Sequence, residues 1–333
     1  MKTKTPVQHT TEKLDSFEKI PYPVSTQFSE SCYHSTTGKI YVPLNDTNLE
    51  NYGGLYSLTN KEWRLEFQFP KKTDVILGAT IQNDIFVGCN TYDNSLLIYD
   101  IGKGQCKSIH LIGCPNDICF SPDNETEVFV VMNIDFDTYC GILMKVNIET
   151  DEITYLLGNL KECIYKKNVY SVSGISLKTQ TQTLYIATLP EIYTFHIPTG
   201  NVETIVDIHS NRDCPFYDNI TLYKDTVNIA VFAYQQRLQY GVYRNQFLLK
   251  NAVYCMSGCL GIGFFDRTNY GRTMSSKRIK FIRMTKDKIE YVAFDKKIPD
   301  FDNEITQITQ IDTNKYILTN YKANFLVLAN ILC

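Results

Sequence analysis

One phrase recurs along this chain: a small or polar residue, a short interval, then an apolar strand that ends in a turn. It sets Glu30 ahead of Lys39-Ile40-Tyr41-Val42 and Asn116 ahead of Val128-Phe129-Val130-Val131. It returns with Ser173 before Leu184-Tyr185-Ile186-Ala187, Asp218 before Ile229-Ala230-Val231-Phe232, and Thr306 before Tyr316-Ile317-Leu318-Thr319. Short strands repeating at roughly 50 residues per unit are the pattern of a β-propeller, each unit forming one blade. Equivalent positions of all blades then point into one central channel. Such a register gathers Glu30, Asn116 and Asp218 around a single point, the way hard oxygen ligands for a metal are assembled.

Between the strands lie turn chemistries: Ser35-Thr-Thr-Gly38, Ser121-Pro-Asp-Asn124 and Pro198-Thr-Gly200. The 23 Tyr and 18 Phe, with many Ile, Val and Thr, favour strands, and no sustained helical stripe is present. The chain therefore reads as all-β, a six-bladed β-propeller. Its units cover 26–68, 73–110, 114–157 and 172–206, with a fifth starting at 215 and a sixth ending with 305–330. In the second unit, the phrase over Ile76 to Gly88 carries an apolar residue at the inward position. Residues 1–20, polar and aperiodic, read as a flexible N-terminal lead-in, and 21–333 as a single propeller domain. The least regular stretch, 235–277, contains Cys255-Met-Ser-Gly-Cys-Leu-Gly-Ile-Gly-Phe-Phe265. It reads as outer strands of the fifth blade or as an insertion over one mouth of the channel. Gly261 and Gly263 lack the following Lys-Ser/Thr of a phosphate loop.

The formal charge of −3 gives no case for nucleic acid or an anionic membrane as an obligate partner. No segment approaches the roughly 18–20 apolar residues that span a bilayer. The stretch from Met1 to Glu18 has no apolar core of the kind a signal peptide carries, so a cytoplasmic location is expected. Oligomeric state is left open. The 11 cysteines are odd in number and irregular in spacing, which favours reduced, mostly buried thiols over a disulfide scaffold.

Two phrases carry candidate chemistry. In Cys114-Pro-Asn-Asp-Ile-Cys-Phe-Ser-Pro-Asp123, the side chains of Asn116 and Asp117 leave a β backbone in opposite directions. One can face the channel while the other bonds a turn. Tyr217-Asp218-Asn219-Ile220-Thr221 repeats the arrangement two blades later. A carboxylate and an amide oxygen at matched positions suit calcium; the alternative is that Asn and Asp beside turns merely cap them. His34, His110, His196 and His209 are scattered, and His9 lies near the N-terminus. Of these, His34 is the best placed, four residues after Glu30. The basic stretch from Arg272 to Lys288 alternates with Ile279, Phe281 and Ile282, as a solvated strand face does. The single tryptophan, Trp63, speaks against tryptophan-aspartate repeats, and no Gly-x-Ser-x-Gly elbow or histidine metalloprotease motif occurs.

Pro115 to Asp123 resembles the corresponding stretch of the senescence marker protein/gluconolactonase/luciferin-regenerating-enzyme group. Val172-Ser-Gly-Ile-Ser-Leu177, leading to Thr183-Leu-Tyr-Ile-Ala187, is similar to that superfamily's Asn-Gly-Ile phrase and following strand. Asp218-Asn-Ile-Thr221 resembles the Asp-Asn-Ile phrase of paraoxonases and strictosidine-synthase-like proteins. Glu30, eight residues ahead of Gly38-Lys-Ile-Tyr-Val42, resembles a first-blade glutamate, and Ile305-Thr-Gln-Ile-Thr-Gln-Ile-Asp312 a last-blade phrase. The resemblance implies a six-bladed propeller with a divalent metal, usually calcium, at the top of the channel. It also implies Glu30, Asn116, Ser173 and Asp218 as ligands. Ser173 departs from the family's asparagine, a shorter and weaker donor, and Asn219 could supply the missing oxygen. Thr306 stands where strictosidine-synthase-like enzymes place a catalytic glutamate, and threonine is no general base near neutral pH.

The expectation is a calcium-dependent hydrolase of a small-molecule lactone or ester, the metal polarising the carbonyl. Asp218 is expected to orient or deprotonate water, with Asp117 as the second candidate. Two alternatives stay open: a non-hydrolytic lyase, isomerase or cyclase on the same platform, and a non-catalytic binding propeller.

Overall fold

A computed structural model describes residues 7–35, 38–135, 140–170, 172–188, 191–207, 215–234, 279–286, 288–301, 305–320 and 323–332. The stretch 235–277 singled out above therefore lies outside the described residues. Among those described there is no α-helix, only one short 3₁₀ turn at Thr179–Thr181. Among the described residues no helix is long and apolar enough to cross a membrane.

The strands form six antiparallel blades. Blade 1 begins with two short pieces, Gln27–Phe28 and Tyr33–His34, and continues with Ile40–Asp46, Gly54–Thr59 and Glu62–Gln68. Blade 2 comprises Ile76–Gln82, Ile85–Asn90, Ser95–Asp100 and Gln105–His110. Blade 3 comprises Cys114–Phe120, Glu127–Asp135, Cys140–Asn147 and Ile153–Gly158, and blade 4 Val172–Lys178, Thr183–Thr188, Glu191–His196 and Asn201–Asp207. Blade 5 is built from Pro215–Tyr223, Thr226–Tyr234, Lys280–Met284 and Ile289–Phe294, and blade 6 from Gln307–Asp312, Lys315–Thr319 and Phe325–Leu332. Successive innermost strands pack on one another, and that of blade 6 meets that of blade 1, which closes the ring.

The apolar runs seen in the sequence are second strands, buried on both faces by neighbouring blades. In Glu127–Asp135, Val128, Val130 and Met132 pack with Val87 and Leu96 of blade 2. Phe129 and Val131 turn the other way, onto Ile175, Leu184 and Ile186 of blade 4. A strand covered on both sides has no polar face to display, which is why the run is continuous rather than alternating. Several of these strands end in a buried asparagine that clasps the next blade. Asn45 bonds both the N–H and the C=O of Ile76, each at 2.8 Å. Asn133 does the same for Val172 at 2.9 Å. Of the cysteines among the described residues, Cys32, Cys89 and Cys163 are buried.

The N-terminal segment departs from expectation. The sequence of residues 1–20 reads as a lead-in outside the propeller, but Val7–Pro21 is a strand. Val7 to Glu12 runs parallel to Ile289–Phe294 of blade 5, and Lys13 to Pro21 runs antiparallel to Phe325–Leu332 as the outer strand of blade 6. An outermost strand buries little, so its polar text hid the assignment: Leu14 and Ile20 are buried in a sequence that is otherwise mostly open to solvent. Fixed partners hold it. Arg283 donates to both carboxylate oxygens of Glu12 at 2.5 and 3.0 Å, Leu14 N–H donates to Asp295 at 2.8 Å, and Trp63 Nε1–H donates to the Pro21 carbonyl at 2.8 Å. Deleting residues 1–21 should abolish the cooperative thermal transition of the full chain, followed by near-ultraviolet circular dichroism. A truncated chain that melts at the full-length Tm would show the strand to be dispensable.

Candidate functional site

The inward residues sit where the innermost strands lose their register. In blade 3 the pairing with the second strand breaks between Pro115 and Asp117, leaving Asn116 unpaired. In blade 4 it breaks between Val172 and Gly174, at Ser173; in blade 5 between Tyr217 and Ile220, at Asp218 and Asn219. Blade 2 has the same break between Ile76 and Ala79. Such bulges re-aim side chains and concentrate beside functional sites. In blade 1 the innermost strand is interrupted between Phe28 and Tyr33, and Glu30 lies in that gap. Two glycines let adjacent bulges meet. A Cβ at Gly174 would come within 2.8 Å of the Asp218 carbonyl, and one at Gly78 within 2.5 Å of the Asn116 carbonyl.

Three carboxylates converge here. Burial raises the Glu30 carboxyl to about 7. Burial also raises Asp117 to about 7, against the pull of N–H bonds from Ile175 (2.8 Å) and Ile118 (2.9 Å). Asp218 is pushed up by burial first, then by the charges of Glu30 and Asp117, opposed only by the Asn219 N–H. No lysine, arginine or histidine among the described residues offsets these charges. For Glu30 and Asp117, shifts of this size correspond to roughly 3–4 kcal/mol of unfavourable charging per group. Carboxylates whose charge burial disfavours, and that no counter-charge among the described residues offsets, are hard-oxygen donors of the kind calcium takes. Among the described residues no three His, Cys, Asp or Glu side chains stand close enough to hold an ion by themselves. Amide and carbonyl oxygens would have to complete any such set.

The other sequence candidates are engaged in joining blades. Ser173 donates its hydroxyl proton to the Tyr217 carbonyl of blade 5 at 2.7 Å. Asn219 Nδ2 donates to the Glu30 carbonyl at 3.2 Å, which leaves its Oδ1 as an acceptor. Thr306 is buried and touches the Thr319 hydroxyl at 3.2 Å; Thr319 in turn donates to the Glu30 carbonyl at 2.9 Å. Since the single Thr319 proton goes to Glu30, Thr306 is the donor between the two threonines. The segment around Glu30 is pinned further by Ser31, whose hydroxyl donates to the Leu77 carbonyl at 2.5 Å, and by Gln307, which bonds the N–H and C=O of Cys32. Thr319 and Gln307 escaped sequence reading. Their only trace is position, at the end of a second strand and the start of a first.

No family model matches the chain, and no curated protein sequence does. Solved structures show the fold. A gluconolactonase from Xanthomonas campestris aligns with TM-score 0.59 at 10% identity, over 99% of this chain and 97% of its own. Virginiamycin B lyase from Staphylococcus aureus, as a catalytically inactive variant with quinupristin, aligns with TM-score 0.54 at 11% identity, over 95% and 99%. A chain of the nidogen/laminin complex aligns with TM-score 0.56 at 10% identity, over 87% and 88%. This chain is thus similar in fold to these three β-propeller structures.

The electrostatics make a signed prediction. Glu30 ionises near 4.5 when unfolded and about 7 when folded, so between those values the folded state holds the extra proton. Its contribution therefore turns unfavourable as pH rises through that window and is constant above it. In metal-free buffer, Glu30→Gln should match wild type near pH 4.5 and exceed it by up to ~3 kcal/mol at pH 8, read by urea unfolding. A variant no more stable than wild type at pH 8 would mean that the carboxylate is solvated.

Proposed function

We propose that the chain hydrolyses a small-molecule lactone or ester with the aid of a divalent metal, calcium by its donor set, at the mouth of the channel. The observation that carries this reading is the meeting of Glu30, Asp117 and Asp218 without a compensating cation among the described residues. Glu30, Asp218 and the Asn116 amide oxygen would hold the metal, with Asn219 Oδ1 available. When bound, a divalent cation supplies Lewis-acid polarisation of the acyl carbonyl.

The chain's own groups account for the rest. Asp218 takes a proton from water as the water oxygen bonds the acyl carbon. The acyl carbon–oxygen bond then breaks, and the departing alkoxide recovers the proton. Asp117, with both carboxylate oxygens receiving N–H bonds, is held as an orienting group rather than a proton carrier.

One observation favours a second reading, a lyase- or isomerase-type reaction. The hydroxyls of Ser173 and Thr306, at two positions where the resembled families place functional groups, serve contacts within the protein instead. Asp218→Asn should lower kcat/KM for a lactone and ester panel by at least about a hundredfold with Tm preserved. Wild-type protein that binds calcium yet turns over no member of the panel would favour the second reading.

A further inference from the structure

A polar layer interrupts the apolar packing between blades 5 and 6. Asn228 and Arg283 stand opposite each other on neighbouring strands, as do Arg283 and Glu290, so the three side chains share one face. From blade 6, Gln310 and Tyr316 are also opposite each other and meet that face. Asn228 Nδ2 donates to Gln310 Oε1 at 3.3 Å, and Arg283 Nη2 donates to the Tyr316 hydroxyl at 3.1 Å. The N-terminal strand crosses the seam at this level. Glu12 is its last residue paired with blade 5, opposite Phe294, and Lys13 pairs with Leu332 of blade 6.

The layer does not fill its space. A cavity of about 170 Å³ opens there, and Glu12, Thr226, Arg283, Gln310, Thr313 and Tyr316 form most of its wall. An ordered water needs only about 10–15 Å³ of such space, so the cavity has room for a small organic molecule. It is remote from the carboxylates of the channel. Thr226 and Thr313 lie just beyond the ends of first strands, whereas Asp218 lies near the beginning of Pro215–Tyr223. The stretch from Asp218 to Tyr223 alone spans about 17 Å.

The wall narrows the chemistry of an occupant. Arg283 is held by both carboxylate oxygens of Glu12, at 2.5 and 3.0 Å. It also lies 4.0 Å from Glu290, which Lys288 pairs at 2.9 Å. Two cations thus face two carboxylates, and a charged ligand finds no unmatched partner. Gln310 gives its Nε2 protons to the carbonyls of Asp312 (3.2 Å) and Thr313 (3.1 Å), so it presents Oε1 as an acceptor. The hydroxyls of Thr226 and Thr313 can each donate and accept. A wall of neutral donors and acceptors is matched by groups that do both, which are hydroxyls.

We infer that this cavity is a second binding site, for a neutral polyhydroxylated compound of monosaccharide size. The inference is independent of the hydrolase reading. Since Glu12 forms one wall and Arg283 and Gln310 others, the occupant ties the N-terminal strand to blades 5 and 6 at its crossover.

The test is a ligand-observed NMR titration of the full chain with glucose, xylose and myo-inositol, and with glucuronate and glucosamine as charged analogues. At least one neutral compound should bind with a Kd of about 1 mM or tighter. The charged analogues should bind at least about tenfold more weakly than it does. Thr226→Val/Thr313→Val removes two hydroxyls at nearly constant volume and should weaken binding about tenfold. If that variant does not fold, Thr313→Trp, at an exposed turn position, should weaken binding by taking up the space. With about 20 mM of the bound compound, amide exchange from Lys13 to Ser16 should slow about tenfold, which locates the occupant at the seam and not in the channel. The inference is overturned if no neutral compound binds below about 50 mM or if a charged analogue binds as tightly. Binding unchanged in the folded variants, or exchange unchanged at the crossover, overturns it as well.

Discussion

The backbone of Ser29 to Cys32 is the constraint on which both the ring and the site depend. This segment lies where the last blade meets the first, and hydrogen bonds from three other blades converge on it. Thr319 of blade 6 and Asn219 of blade 5 share the Glu30 carbonyl, Gln307 brackets Cys32, and Ser31 reaches the blade 2 bulge at Leu77. An irregular stretch of backbone forms no ladder of its own, so each of its polar groups needs a partner from elsewhere. Here those partners also fix where the Glu30 side chain starts. Closing the propeller and aiming its most unusual carboxylate are one structural event.

That carboxylate sits in an environment that disfavours its charge, and the same holds for Asp117 and Asp218. Groups arranged purely for stability would be expected to carry counter-ions, as Glu12 does with Arg283 at the blade 5–6 seam. The contrast within one molecule is informative. The seam pairs its charges, whereas the channel concentrates one sign. Perturbed groups of this kind gather at functional sites more often than in structural networks.

Much of the fold was legible because propeller blades repeat a pattern that local chemistry dictates. Second strands such as Val128 to Met132 are apolar throughout because two neighbouring blades cover them, and the polar turns between strands announce the hairpins. The N-terminal strand was not legible, since its partners at Ile289–Phe294 and Phe325–Leu332 lie almost a chain length away and its outer face is solvated. The equivalent positions of Asn116, Ser173 and Asp218 on the innermost strands could be read, but not the bulges they occupy, because a bulge depends on pairing with the strand opposite. Nor could the Thr306–Thr319–Glu30 relay be read. A threonine that ends a strand has the same letter whether it faces solvent or secures a carbonyl.

The central claim is that the cluster of Glu30, Asp218 and Asn116 is a cation site built at the ring's closure. Equilibrium dialysis of the purified chain against calcium tests it most directly. One ion should bind per chain, with affinity falling at least about a hundredfold in Glu30→Gln while that variant stays folded. Wild-type protein that binds no calcium, or a Glu30→Gln variant that binds it as tightly as wild type, would contradict the account.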